Sequence, residues 1–543
     1  MFGESTGLTA RRGATLLIAA VVAMVIAGCG SSSTPGKGAG STSLSSFYTG
    51  WTPGGTPVRG GTATIDGPEA PNTLNPFTLT VGPQPLYEIF DQLVELMPGS
   101  NSHPVLEPAL ATSWTISPDH LIYTFHIRTG VRFSNGESLT GEDVAFSLQQ
   151  AKAPTNVFYS YSKLWTKIEL TGPMTVRLQL SKPEPALLEV LDFASMGIVP
   201  KRVYQREGAK AFGLHPVGTG PFMLQSASAG FTTIKLVRNP YYWRAGQPYL
   251  NGLVYNQVES DNARILAVRS GTATIAENIA YQQVASLKQT PGARMLVGPE
   301  WGGSVNVFNR EKAPFNDVNV RKALLYATPR EQIIKSVYDG LGNPANSYLG
   351  VLKYYNPNVP LYPYDIAKAK ELLKSSSAPN GFDMTIGVSS GEAQGELIAP
   401  ILQSSWAKIG VHATIQSIPV STLYTNCFAG KFQFDLLPTE GGYSAEYLPD
   451  PTASYEADNP QPCFGPPPTN AGVAAKLNAV LNSTNEKMRE KLWRELQYDL
   501  YWTEPMGLPL VSLVSLTLVN DSVRGFQVEP STFMRMDQVW LHS

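Results

Sequence analysis

The stretch ALATSWTISPDHLIYTFHIRTGVRFSNGESLTGEDVAFSL, residues 109–148, decides how the rest of the chain is read. Leu121, Tyr123, Phe125 and Ile127 recur at every second position, the period of a half-buried strand. Arg128-Thr129-Gly130 follows as a turn. Thr140 to Asp143 then resembles a capping box opening a helix over Val144 to Gln150. Downstream, Met174, Val176, Leu178 and Leu180 repeat the strand period with Thr, Arg and Gln between them. Strands and helices alternate along the chain with hairpins among them, and no internal repeat recurs at a fixed spacing. The pattern predicts a mixed α/β architecture in several lobes.

Two further helix starts are expected. Thr328-Pro329-Arg330-Glu331 offers an N-cap, a proline at the first helical position and a reciprocal glutamate, with the helix stopping at Gly340. Ser483 to Glu486 offers another, followed by Met488, Leu492 and Leu496 as an apolar stripe that ends before Pro505. These are packing signals.

The bulk numbers exclude several classes. At 543 residues the chain exceeds what one core usually supports, so two or three lobes are expected. Lys+Arg of 41 against Asp+Glu of 43 gives a net charge of −2, with no basic run to suit nucleic acid or an anionic membrane. The six histidines are scattered, and no Cys-x-x-Cys or His-Glu-x-x-His is present, so neither a metal site nor a cofactor is expected. Aromatics reach 10%, with 24 Tyr and 9 Trp, which supply large and fairly rigid contact area.

The N-terminus reads as an export signal. Arg11 and Arg12 precede an apolar run, Ala14 to Ala27, interrupted only by Thr15. At about fourteen residues this run is too short to span a bilayer, which takes roughly twenty. Ala27-Gly28-Cys29 resembles a bacterial lipobox, in which the cysteine is acylated and becomes the new N-terminus. Residues 1–28 would be the signal peptide and 29–55 a lipidated, Ser/Thr/Gly-rich tether, placing the protein outside the cell and anchored to its membrane. With Cys29 lipidated, Cys427 and Cys463 remain as one possible disulfide pair in an oxidising compartment.

From Gly60 onward the segments resemble, in order, the peptide-type (family 5) extracytoplasmic solute-binding proteins of ABC importers. Gly60 to Ile65 resembles their first strand, Thr73-Leu74-Asn75-Pro76 the turn after it, and LYEIFDQLVEL at 86–96 the first helix and its exit. The stretch 109–148 is similar to their Leu-Ala-x-Ser-Trp opening, aromatic strand, Phe-x-x-Gly turn and Asp-Val helix. Pro216-Val217-Gly218-Thr219-Gly220-Pro221-Phe222, Arg238-Asn239-Pro240-Tyr241-Tyr242-Trp243 and the segment Phe315 to Leu324 resemble three further signatures. Nearly all of these read as fold determinants.

The resemblance implies a type II periplasmic-binding-protein fold, two lobes joined by a hinge with an extra accessory domain. Carried over segment by segment, lobe I takes 56–85, 214–300 and 511–543, the accessory domain 86–213, and lobe II 301–510. It also implies a monomer that encloses a peptide or small solute between the lobes and delivers it to the permease subunits of the importer. The family stretch that receives the peptide reads Gly-aromatic-x-x-Asp and then Asp/Glu-Pro. Here Gly441 to Pro451 (GGYSAEYLPDP) is similar. Gly442, Tyr443 and Ser444 would offer backbone and side chain, and Glu446 stands where the family aspartate meets the peptide ammonium. Glu446 is one methylene longer than that aspartate, and one extra residue precedes Asp450-Pro451. Trp301 and Gly302, with Gly303, are cleft candidates at the crossing into lobe II.

Two alternatives stand beside this reading. The same fold serves other solutes, such as metal chelates, haem and glycosides. Alternatively, Ser160-Tyr161-Ser162-Lys163 and Ser260-Asp261-Asn262 together match patterns of penicillin-recognising serine enzymes, with Ser160 as nucleophile and Lys163 as its activator. That chemistry also needs a Lys-Thr-Gly strand, and Arg128-Thr129-Gly130, the only cationic Thr-Gly, precedes both motifs. The chain therefore reads as a binding protein and not an enzyme.

Overall fold

The chain divides into Met1–Ser41 and a second unit, Thr42–Ser543. A computed structural model describes residues 56–97, 105–287, 290–303, 306–347, 354–390, 393–436, 468–528 and 534–542, all within the second unit.

Distant parts of the chain meet in one sheet. Its order is Ala293–Gly303, Val511–Asn520, Ile275–Ala276, Thr62–Gly67, Gly252–Gln257, Thr233–Arg238 and Phe222–Ala227. Asn343–Pro344 also pairs with Val511–Asn520. Thr62–Gly67 runs parallel to both Gly252–Gln257 and Ile275–Ala276. Parallel strands are usually covered on both faces, and Ala63, Ile65, Leu253 and Ile275 are accordingly buried. A second sheet has the order Asn306–Phe308, Phe434–Leu436, Phe382–Ser389, Val411–Ile418.

Two strands carry the chain between these sheets. Ala293–Gly303 goes out, and Asn306–Phe308 in the second sheet follows it almost at once. The return passes Gly507, which bridges Val307, and Leu508, whose N–H donates to the Asn306 carbonyl at 2.9 Å, before Val511–Asn520 begins. The outgoing and returning strands are themselves paired, so both crossings lie side by side.

Register then fixes direction. Gly303 faces Ser512 while Ala293 faces Asn520, so the outgoing strand has its carboxyl end at the crossing. Ile275 faces Val519 and Ala276 faces Leu518, so this strand runs the same way, as do Thr62–Gly67, parallel to it, and Gly252–Gln257, parallel to Thr62–Gly67. In the second sheet Asn306 faces Leu436, and Phe382–Ser389 lies parallel to both Phe434–Leu436 and Val411–Ile418. The parallel strands of both sheets therefore aim their carboxyl ends at the crossing.

Residues 109–148 supply two strands of a third, antiparallel sheet, whose order is Ala111–Ile116, Ile122–Ile127, Thr175–Leu180 and Trp165–Gly172. Tyr123, Phe125 and Ile127 are buried on one face, as are Val176, Leu178 and Leu180 on the neighbouring strand. Thr140 and Asp143 make the reciprocal capping box, and the helix runs Gly141–Ala151. Gly218 and Gly220 are glycines because a Cβ there would sit 2.0 Å from the Ile89 carbonyl oxygen and 2.5 Å from that of Glu88. No larger residue fits that approach.

Two expected caps fall elsewhere. The Thr328 hydroxyl donates to the Leu324 carbonyl at 2.7 Å, closing the preceding helix Val318–Tyr326. The next helix, Arg330–Val337, has Pro329 at its N-cap position, and proline offers no capping oxygen on its side chain, so the helix starts without a side-chain cap. Likewise Ser483 ends the helix Ala471–Asn482, and Asn485 caps Glu486–Tyr498 by accepting from the Met488 N–H at 3.0 Å. The buried face of that helix is Arg489, Trp493, Leu496 and Gln497, leaving Met488 50% exposed. Arg489 turns the stripe, because its guanidinium donates to the Tyr354 hydroxyl at 2.9 Å in the interior.

Candidate functional site

In open α/β sheets, ligands bind beyond the carboxyl ends of the strands. Here those ends face each other across the two crossings. Leu436 ends the strand Phe434–Leu436 at that edge, directly opposite Asn306. The chain then enters 437–467, outside the described residues, so Gly442, Tyr443, Ser444 and Glu446 lie outside them as well. What is visible is their point of departure, the crossing edge of the second sheet.

Trp301, Gly302 and Gly303 belong to the outgoing strand, with Gly302 opposite Leu513 and Gly303 opposite Ser512. The register slips between Val297 and Glu300 and again between Glu300 and Gly302, a local irregularity of the strand pairing. Their backbone is at the crossing. Nearby, the Tyr281 hydroxyl donates to the Val514 carbonyl at 2.6 Å and accepts from the Val514 N–H at 3.1 Å, fixing the return strand as it enters the first sheet.

The sequence reading named no residue from the strand that leads into the site, and one carboxylate there is informative. Asp435 is 4% exposed, and its Oδ2 has no hydrogen-bond partner. It lies over Gly387, where a Cβ would come within 2.2 Å of its Oδ1. Burial pushes its carboxyl up to about 7. The signal was a charge set between apolar Phe434 and Leu436. The first sheet contributes Asp66, Glu69 and Glu277 at its own carboxyl ends, also unnamed from sequence.

Residues 105–461 match the family described as bacterial extracellular solute-binding proteins, family 5. The chain belongs to this family. Its fold is accordingly the two-lobed α/β type II binding-protein fold, and its role is that of the solute-binding component of an ABC importer. The glutathione-binding protein GsiB of Salmonella paratyphi A is 29% identical over 442 residues, covering 79% of this chain and 85% of that protein. Among solved structures, the periplasmic binding protein DppA of Helicobacter pylori in complex with the peptide STSA is 25% identical with a TM-score of 0.73, covering 90% of this chain and 99% of the other. The oligopeptide-binding protein AppA of Bacillus subtilis, in complex with a nonapeptide, has a TM-score of 0.76 at 21% identity, covering 90% of this chain and all of AppA. These relatives are binding proteins.

The enzyme-like motifs lie at or beside helix ends. Ser260 caps the helix Asp261–Ser270, its hydroxyl accepting from the Ala263 N–H at 3.4 Å. Asp261 pairs with Arg264 and accepts from the Ala280 N–H, and Asn262 accepts from Gln283. Ser160 is in the single-turn helix Tyr159–Ser162, which Lys163 ends, and Ser162 donates to the Ala151 carbonyl at 2.9 Å. Cys427 is fully buried in the helix Val420–Phe428 among Leu423, Phe432 and Trp493, while Cys463 and Cys29 lie outside the described residues. Among the described residues no helix is long and apolar enough to cross a membrane.

Proposed function

We propose that this protein captures peptides, or solutes bearing a similar amine, between the carboxyl ends of its two main sheets, and hands them to an importer's permease. The observation that carries this reading is the common direction of those ends, with Leu436 at the same edge and Gly441–Pro451 following it in the sequence. A peptide enclosed there loses the water around its ammonium, so a carboxylate must replace it. Glu446 is the group we assign, with Gly442, Tyr443 and Ser444 beside it and Trp301 and Gly302 at the crossing. We assign lobe I to 56–85, 214–300 and 511–543, the accessory domain to 86–213 and lobe II to 301–510. GsiB is named for glutathione, and DppA and AppA were solved with peptides, which supports a peptide-like cargo here. A second reading is a non-peptide solute: AgaA of this fold holds agropinic acid. We read the chain as a receptor and not as an enzyme, because the relatives it matches are binding proteins.

Lipidation of Cys29, a flexible tether, and a disulfide between Cys427 and Cys463 complete the proposal; the burial of Cys427 within lobe II suits a structural cystine. Native mass spectrometry of the purified protein tests the cargo. A ladder of short peptide masses is expected, and a single defined non-peptide mass would replace the peptide assignment with the second reading. Intact mass with and without reductant reads the acyl chains and the disulfide in the same sample.

A further inference from the structure

The wall contributed by the first sheet holds a buried carboxylate with an oxygen that no donor among the described residues reaches. Glu277 follows the strand Ile275–Ala276 at its carboxyl end and is 8% exposed, and its Oε1 has no hydrogen-bond partner. Tyr255, on the parallel strand Gly252–Gln257, is 7% exposed, and its hydroxyl also lacks a partner. Both line one cavity of about 20 Å³, with Gly67, Glu69, Gln84 and Asn256 among its other walls. Gly67 is what admits the carboxylate, since a Cβ there would lie 2.5 Å from the Glu277 Oε2.

The nearby guanidinium does not neutralise it. Arg264 donates from Nε to the Glu277 backbone carbonyl at 3.1 Å, from Nη1 to the Val258 and Glu259 carbonyls, and from Nη2 to Asp261 and the Asn278 carbonyl. Its donors go to the loop's backbone and to Asp261. The remaining charges around the cavity are acidic. Asp66 and Glu69 belong to the opening strand and the turn after it, Glu88 to the helix Gln84–Ile89, and Asp261 to the helix Asp261–Ser270. Burial, opposed by Arg264 and helped by the charge of Glu69, pushes the Glu277 carboxyl up to about 8.

Size and charge together select the occupant. A cavity needs about 10–15 Å³ to hold one water, so this one has room for a water-sized group. A primary ammonium has that size and supplies donors to a carboxylate and a hydroxyl. Among the described residues no cluster of three metal-ligating side chains exists, which argues against a metal ion. We propose that Glu277 and Tyr255 form a subsite for a primary ammonium at the first-sheet side of the cleft. Its source is an amine of the captured solute, such as a lysine side chain, and only this attribution rests on the peptide reading above. Free ammonium is the other source of the same chemistry. Since the cation competes with a proton, binding tightens as pH rises through about 8.

The test compares wild type, Glu277→Gln and Tyr255→Phe, using two probe pairs. Calorimetry follows Ala-Lys-Ala against Ala-norleucine-Ala at pH 9 and pH 6. Thermal melting follows methylammonium against tetramethylammonium at equal ionic strength. We expect wild type at pH 9 to prefer the lysine peptide by about tenfold or more, as one charge-assisted hydrogen bond would give. The preference shrinks at pH 6, vanishes in Glu277→Gln and weakens in Tyr255→Phe. If neither peptide binds but methylammonium alone raises the melting temperature in a Glu277-dependent way, the site stands with free ammonium as its source and the peptide reading falls. No Glu277-dependent preference in either pair overturns the proposal. Should Glu277→Gln fail to fold, an unaltered preference in Tyr255→Phe overturns it equally.

Discussion

The Tyr281 hydroxyl bonds both polar groups of the Val514 backbone, donating to its carbonyl at 2.6 Å and accepting from its N–H at 3.1 Å. Tyr281 is 3% exposed, so these bonds form away from water at the strand that returns from the second sheet to the first. A buried backbone pair that loses its partner costs about 1–3 kcal/mol.

Tyr281→Phe is therefore expected to destabilise the protein by about 1–3 kcal/mol while keeping its shape. Chemical denaturation would show a lower midpoint at an unchanged slope. An unaltered midpoint would mean that the return strand is held elsewhere.

A second expectation concerns a buried ionic network between the 86–213 region and the chain's C-terminal part. Arg244 pairs with Glu95 and, at 3.3 Å, with Asp537, while Arg535 reaches Glu95 at 3.1 Å and Asp192 at 2.8 Å. Trp243 lies under the guanidiniums of Arg244 and Arg128 and donates to Asp91 at 3.0 Å. Removing one partner of such a network leaves buried charge uncompensated, which costs about 3–5 kcal/mol. Arg244→Ala should lose that much in equilibrium unfolding, and Arg244→Lys should recover only part of it because an ammonium cannot reproduce the forked contacts. Full recovery by lysine would show that charge alone matters there.

How far the sequence reveals this protein depends on whether a residue's job is local. Tyr123, Phe125 and Ile127 declare their strand because burial on one face imposes a period of two, and Thr140 with Asp143 declares a cap within four residues. Thr328 misleads because the helix starts one residue later, with Pro329 at the N-cap, while its own hydroxyl bonds backward to Leu324, a shift the sequence pattern does not distinguish. Met488 misleads because Arg489 finds Tyr354, a partner remote in sequence. Gly218 and Gly220 look like a turn, yet the reason for them is the backbone of Ile89 and Glu88 pressed against them. The site is the least legible part. Asp435 and Glu277 each sit inside short apolar runs, and only the pairing of distant strands brings both to the ends that face the crossing.

Asp435 makes a pH prediction. Its carboxyl rises from 3.8 to about 7 through burial, so the folded chain holds a proton there that the unfolded chain releases. The sign follows: between pH 4 and pH 7 its contribution to stability falls as pH rises, and below about 4 it is constant. Asp435→Asn should stabilise the protein at pH 8 by about 1–3 kcal/mol, with the gain shrinking toward pH 4. Melting curves across that range would show the two proteins converging in acid, and parallel curves would contradict the assignment.

The last prediction concerns Glu446 and separates it from Glu277. If Glu446 receives the ligand's terminal amine, Glu446→Ala should lower affinity for Ala-norleucine-Ala by about tenfold to a hundredfold, since one charge-assisted hydrogen bond is worth about 1.5–3 kcal/mol. Blocking that peptide's amine by acetylation should cost the wild type a similar factor and cost Glu446→Ala little further, because both changes remove the same contact. Glu277→Gln should leave affinity for this lysine-free peptide nearly unchanged. The extra methylene of Glu446 relative to the family's aspartate gives the argument a further handle. Glu446→Asp shortens the reach, so it should weaken binding if the glutamate contacts the amine directly, and improve it if the longer side chain only crowds the cleft. Equal affinity in the alanine variant and the wild type would remove Glu446 from the site and leave the crossing residues Trp301 and Gly302 as the candidates to test next.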